Sequence, residues 1–499
     1  MNATNHLPIL PVYRPTAPQM IYSSAEPHGL TTLLAKSGND FCFLSTGWTG
    51  TPIVAAKPAV HLRVIEADCG FALEISIGGW RHRQPMASAA EAIAALCRQL
   101  DAGLQAPTAP LGVGWIGYIG YDLQRRIEGT GPHRSNEPLA HMCLYQHFYI
   151  YHADGKWLLV EIGEPASASL TEVAELSDVG EMSEARGLDD TAATGGMVET
   201  AGMMEMIDTL RAAEVTVPCE AGVLRDARAP TQPPFISAVR RALEYIGAGD
   251  IYQINLCGVW AGRSDNPYEL WRSMYEKSPG RYSAFIQSGD WAVCSISPEL
   301  FLSRRGASLI TQPIKGTRIR NRADAAADDK ARGELLLSGK EESELAMIVD
   351  LLRNDLGRAC DIGSVRLSAA RQVESLPHLW QTYATIEGKT NASWGTILNC
   401  MLPGGSITGV PKIRAMEIID ELEGTARGIY CGNIGWMRAD AGDLNIAIRT
   451  ATWHAGHATY RAGAGIVAES NPVDEYCEIC AKAWPFTSTF SGLATEAAL

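Results

Sequence analysis

The chain has 499 residues, 46% of them hydrophobic, and carries 42 Lys and Arg against 56 Asp and Glu, a formal net charge of -14. Length and hydrophobic share support a large core in one to three domains. The acidic balance excludes general binding to nucleic acid or to an anionic membrane, so an anionic substrate has to be held by local groups.

Met1 to Arg14 lacks a basic region followed by a long hydrophobic one, so no signal or transmembrane segment is expected there. From about residue 20 to 170, short apolar strand-like runs such as Phe41-Cys42-Phe43-Leu44 and Trp157-Leu158-Leu159-Val160-Glu161 alternate with turns. An alanine-rich helix interrupts them, from the N-cap Ser88 to Leu100. The glycines of Gly114-Trp115-Ile116-Gly117-Tyr118-Ile119-Gly120 fit neither a dinucleotide fingerprint nor a P-loop, and predict close strand packing. From Asp178 to Pro234 the composition is that of a linker, rich in acids, Ala, Gly and Pro, with a short helix from Met203 to Ala213. Beyond its prolines, Phe235, Val239, Leu243 and Ile246 recur at helical spacing and predict a helix leading into a strand at Ile251 to Leu256. The chain thus divides into 1–177, an acidic linker or insert at 178–234, and 235–499. Twelve cysteines without a framework spacing fit reduced thiols and a cytoplasmic location. Cys477 and Cys480 form a lone C-x-x-C that reads as helix packing rather than a zinc site.

Lys315, in Gln312-Pro313-Ile314-Lys315-Gly316-Thr317, is a lone cation between an apolar run and a glycine turn. A partly desolvated amine there is nucleophilic. By itself it reads as a surface lysine on a turn; its significance comes from four acids. Glu341 and Glu344 are three apart, as are Glu475 and Glu478, so each pair shares a helix face. Leu345, Ile348 and Leu352 continue the first face inward. Four oxygen ligands without histidine or paired thiolates suit Mg²⁺ better than Zn²⁺.

These residues belong to a longer ordered set that resembles the chorismate-utilising enzymes. The resemblance runs through Gly249 to Leu256, Ser297-Pro298-Glu299, the Lys315 motif, Ile348 to Arg358, Pro403 to Lys412, Ala447-Ile448-Arg449-Thr450 and Ala462 to Val467, and more weakly back to about residue 110. It implies an α/β (α+β type) fold, a sandwich of two large, mainly antiparallel sheets with outer helices. Anthranilate synthases resemble the chain throughout but have alanine where Lys315 stands, and isochorismate and salicylate synthases use a lysine where this chain has Gln253. The pattern points to the branch that aminates chorismate at C4, on the way to para-aminobenzoate and folate.

By that resemblance Lys315 is the covalent nucleophile and Glu299 the proton donor, and Glu344 and Glu478 hold Mg²⁺ directly with Glu341 and Glu475 acting through water. Arg449 grips the enolpyruvyl carboxylate, backbone N–H groups near Gly463 and Gly465 assist, and Gly316, Thr317 and Thr408 contact substrate. Trp436 replaces a usual tyrosine, keeping an aromatic wall without its hydroxyl. A gapless reading from Val373 to Ile386 puts Gln381, not His378, at an active-site histidine position. Gln381 donates a hydrogen bond but shuttles no protons. Expected partners are chorismate and a glutamine amidotransferase subunit supplying ammonia, since no glutaminase cysteine in a Gly-rich elbow is found and Cys219 has no such context. Some relatives hold tryptophan structurally beside segments matching Leu44-Ser45-Thr46-Gly47 and Arg281-Tyr282-Ser283, where Arg281 replaces a usual proline. The alternatives are an anthranilate synthase component I and an inactive relative acting as a scaffold.

Overall fold

The computed structural model describes residues 13–15, 19–21, 27–37, 40–67, 70–77, 80–104, 109–129, 137–152, 154, 156–163, 224–375 and 379–490. The expected helix at Met203–Ala213, most of the 178–234 insert, Cys219 and His378 lie outside these residues.

The fold is α+β, built on one long run of antiparallel ladders. Starting from the strand Gln253–Arg263, hydrogen bonding passes through His457–Ile466, Thr450–His454, Trp291–Ser297, Tyr282–Ser288 and Phe41–Leu44 to Ile53–Ala67. It continues through Ala140–Tyr151, Trp115–Ile119, Asn433–Arg438, Ala441–Asn445, Leu300–Arg305 and Ser308–Gln312 to Leu379–Lys389. Strands distant along this run face each other across the interior: Tyr118 stacks on Trp291 with ring centroids 5.1 Å apart.

Alternation along the strands splits the buried side chains into two cores. One lies between the sheet layers and under the helices Ala89–Gly103, Gly339–Ala359 and Trp394–Met401. The other is covered by Gln232–Ala248, Pro267–Lys277, Lys412–Glu423 and Pro472–Thr487. The capping signal at Ser88 is realised, its hydroxyl accepting from Glu91 N–H while Glu91 accepts from Ala87 N–H at 2.7 Å. Gly117 meets the expectation of close packing, since a Cβ there would fall 1.9 Å from the His141 carbonyl oxygen.

The expected linker ends earlier than composition suggests. Arg225–Arg228 pairs with Gln253–Arg263, and the helix starts at Gln232 with its prolines in the first turn. Proline there forgoes an N–H that has no helical partner anyway. Phe235 and Val239 are buried as predicted. Cys480 packs on the second core, whereas Cys477 is exposed. The ten cysteines among the described residues are all unpaired, and no described helix is long and apolar enough to cross a membrane.

Candidate active site

Lys315 lies on the strand Ile314–Ile319, paired with Leu379–Lys389 through a register break between Lys315 and Thr317. Gly316 forms that break with φ +78°, and a Cβ on it would stand 2.7 Å from a carboxylate oxygen of Glu341. Glycine is therefore favoured by the backbone conformation, with the end of the Glu341 side chain lying close beside it. That helix is fixed by Ser338, whose hydroxyl accepts from Glu341 N–H. The Thr382 hydroxyl donates to the Lys315 carbonyl and pins the strand from the other side.

Glu299 occupies the turn between Trp291–Ser297 and Leu300–Arg305 and is 8% exposed. Its backbone is clamped, with Ile446 N–H donating to its carbonyl at 3.0 Å and its own N–H donating to Ser297 Oγ at 3.3 Å. Burial pushes its carboxyl up to about 7, against the opposing pull of Lys315, the Ile314 N–H, Lys482 and the Ser406 hydroxyl. Lys315 is shifted the other way. Burial lowers its ammonium below the ordinary lysine value, Lys482 acts in the same sense, and Glu299, Glu344 and Glu478 oppose it. Three segments distant in sequence, bearing Glu299, Glu344 and the Glu478–Lys482 pair, thus converge electrostatically on one amine.

The carboxylates are held in different ways. Glu341 accepts from Arg318 at 2.8 Å with one oxygen, while its other oxygen is buried without a protein partner. Glu475 accepts from Ser470 Oγ at 2.6 Å and Glu478 from Lys482 Nζ at 2.6 Å. No three of these carboxylates stand within 4.8 Å of one another. The set still fits a hard cation in chemistry, being all oxygen with one buried oxygen unpartnered.

On the facing strand, Gly463 pairs with Cys257 and Gly465 with Asn255. A Cβ at Gly463 would lie 2.6 Å from the Tyr430 hydroxyl and 2.9 Å from Asn255 Oδ1, and one at Gly465 would lie 3.1 Å from Gln253 Nε2. Lys482 donates to the Gly463 carbonyl at 2.9 Å. Arg449 adopts φ +49°, and among the described residues its guanidinium has no hydrogen bond or ion pair, as suits a carboxylate ligand.

Other expected contacts lie elsewhere. Trp436 is fully buried in the inner core, its indole N–H donating to Asp443 at 3.0 Å beneath Arg305; the aromatic hydroxyl near the glycines comes from Tyr430. Gln381 is buried, donates to Glu374 at 2.7 Å and lines a small neighbouring pocket with Arg281, Tyr282 and Ile314. The Thr408 hydroxyl is taken by the carbonyls of Gly404 and Gly405, and Thr317 is exposed. The two segments matched to tryptophan binding are adjacent, Ser45 Oγ donating to Arg281 O at 2.8 Å. Tyr430, Lys482, Asn255 and Ser406 complete the constellation without having been singled out by sequence. Glu478-x-x-x-Lys482, with its i,i+4 spacing, was the one available signal.

Comparisons with known proteins place the chain in a family. The profile of the chorismate binding enzymes matches residues 39–488. The chain is 38% identical over 258 residues to aminodeoxychorismate synthase component 1 of Bacillus subtilis, covering 51% of this chain and 55% of that one. It is 40% identical over 254 residues to anthranilate synthase component 1 of Thermus thermophilus, covering 50% and 54%. It therefore spans about half the length of these relatives. The fold matches anthranilate synthase component I from Streptococcus pneumoniae with a TM-score of 0.67 at 25% identity, over 88% of this chain and 91% of that one. The Escherichia coli isochorismate synthase MenF, at 16% identity and a TM-score of 0.67 over 98% and 97%, shares the fold. With a family match over nine-tenths of its length, the chain belongs to the chorismate binding enzymes.

Proposed function

We propose that the protein aminates chorismate at C4 to give 4-amino-4-deoxychorismate, as the large subunit of an aminodeoxychorismate synthase. The observation that carries this reading is the pairing of Lys315 with Glu299, in which burial favours the neutral amine and the protonated carboxyl. These are the protonation states that a nucleophile and a general acid need.

The Lys315 amine attacks C2 of chorismate, the two ring double bonds shift, and the 4-hydroxyl departs as water with the proton of Glu299. Ammonia then adds at C4 from its own lone pair, the double bonds shift back, and the lysine leaves C2. The proton released by ammonia returns to the carboxylate. Arg449 binds the enolpyruvyl carboxylate, and the glycine-permitted backbone at Gly463 and Gly465 supports the anion. Glu341, Glu344, Glu475 and Glu478 would hold Mg²⁺, which when bound orients the ring carboxylate and offsets its charge. Gln253, lying against Gly465, has no basic nitrogen and so does not activate water.

Incubation with chorismate, Mg²⁺ and ammonium should give aminodeoxychorismate; anthranilate would assign the chain to the other relative, and no turnover to a scaffold role. Without ammonia, intact-protein mass spectrometry should show an adduct of chorismate less water on the Lys315 peptide, absent from Lys315→Ala. Unimpaired amination by Lys315→Ala, or an adduct elsewhere, defeats the covalent step.

A further inference from the structure

His61, His141 and Cys143 form a cluster that the proposed chemistry does not use. His61 lies on the strand Ile53–Ala67 directly opposite Cys143 on Ala140–Tyr151, and His141 precedes Cys143 by two residues. Side chains two apart on a strand share a face, as do those directly opposite. His61 Nδ1 stands 3.1 Å from His141 Nε2, and Cys143 Sγ is 3.2 Å from each. His141 and Cys143 are buried, while His61 is partly exposed and gives access from solvent.

Three metal-ligating atoms, two imidazole nitrogens and a sulfur, converge here on one point. An imidazole nitrogen has either a proton or a lone pair, never both, and a thiol has one proton. One proton on an imidazole nitrogen and one on the thiol make at most two hydrogen bonds among the three atoms, so one edge of the triangle has no proton of its own. A central cation satisfies all three at once. A triangle with these sides has its centre about 1.8 Å from each corner. An ion slightly out of that plane meets nitrogen at roughly 2.0–2.1 Å and sulfur at roughly 2.3 Å, the distances of zinc sites.

We propose that His61, His141 and Cys143 form a second metal site, for Zn²⁺ or a similar borderline-soft divalent cation, separate from the oxygen ligands around Lys315. Two imidazoles and a thiolate select such an ion over Mg²⁺. Three protein donors leave a fourth position for water. Binding displaces the Cys143 proton to solvent and forms one sulfur–metal and two nitrogen–metal bonds, with no redox change. Arg63, on the same strand face, opposes a dication, while Asp40 and the thiolate charge offset it. The Tyr118 ring packs edge-on against His141 and holds its plane.

The test is metal loading of the full-length chain. After dialysis against Zn²⁺ and then metal-free buffer, elemental analysis should find one zinc per chain in the wild type and in Glu344→Ala, and background in His61→Ala and Cys143→Ser. Co²⁺ loading of the wild type should give a near-ultraviolet thiolate-to-cobalt band and intense visible bands of a tetrahedral site. This readout does not depend on the variants folding. Zinc retention no better than that of folded Cys143→Ser, or a cobalt spectrum without the thiolate band, overturns the proposal.

Discussion

Lys315 and Glu299 share a proton in two arrangements, ammonium with carboxylate or amine with carboxylic acid, and the two have the same total charge. The environment decides between them, and burial acts on both groups in favour of the neutral pair. Activity that depends on the neutral pair should rise with pH as the first proton leaves and fall as the second does, giving a bell whose limbs belong to the pair. Glu299 sets the expectation for the falling limb at about 7. Glu299→Gln should abolish that limb and lower kcat about 10²–10⁴-fold, the usual value of general acid catalysis. A falling limb retained by Glu299→Gln would assign the proton to another group. In stability the sign is equally fixed. A carboxyl raised from 4.5 to about 7 in the folded protein makes folding more favourable at low pH, and that contribution is lost as pH rises from the unfolded value through about 7. Glu299→Gln should therefore gain thermal stability relative to wild type above pH 7 and lose that advantage near pH 4.

The helices Gly339–Ala359 and Pro472–Thr487 carry the acids, and the first of them was legible because its acids continue an apolar stripe. Leu345, Ile348 and Leu352 are buried at 2%, 1% and 3% exposure, so Glu341 and Glu344 are driven to the same side as the core. Lys482 and Tyr430 were not legible in the same way. Lys482 sits one turn beyond Glu478 and looks like half of a surface ion pair, and only the fold places it against Gly463. The His61, His141 and Cys143 cluster was hidden for a related reason. It depends on the register of two strands about 80 residues apart, and a slip of one residue would turn its members to opposite faces. Trp436 shows the converse, where a motif position matched to a pocket wall is a core residue bonded to Asp443. For the acids, the expected outcome is that Glu344→Ala and Glu478→Ala each abolish Mg²⁺-dependent amination with the circular dichroism spectrum unchanged. Removing one of several like charges relieves repulsion in the metal-free state, so their melting temperatures without Mg²⁺ should equal or exceed that of wild type. Full activity of both at limiting Mg²⁺ would remove these residues from the site.

At the scale of the whole molecule, a frame of antiparallel ladders joins the strand bearing Gln253 to the one bearing Gly463, and Lys482, which donates to Gly463, also acts on Lys315. The helices that bear charge lie on its outer side. In the proposed reaction such a frame would hold chorismate and a nucleophile, but the release of ammonia from glutamine needs a cysteine nucleophile with its own base. Among the described residues the thiols of Cys42, Cys97, Cys143, Cys257, Cys294 and Cys431 are raised by burial, the opposite of an activated thiolate. Cys477 is exposed on the Glu478 helix, with no glycine-rich elbow around it. The chain by itself should then turn over chorismate with ammonium and not with glutamine, and glutamine should become a substrate only when an amidotransferase subunit is added. Comparing initial rates of the purified chain with each nitrogen source checks this. The rate with ammonium should rise up to about pH 7, because free ammonia is the attacking species, and then level off as the falling limb set by Glu299 cancels the further gain. Glutamine-dependent turnover by the purified chain alone would place a glutaminase within it and overturn the division of labour between two subunits.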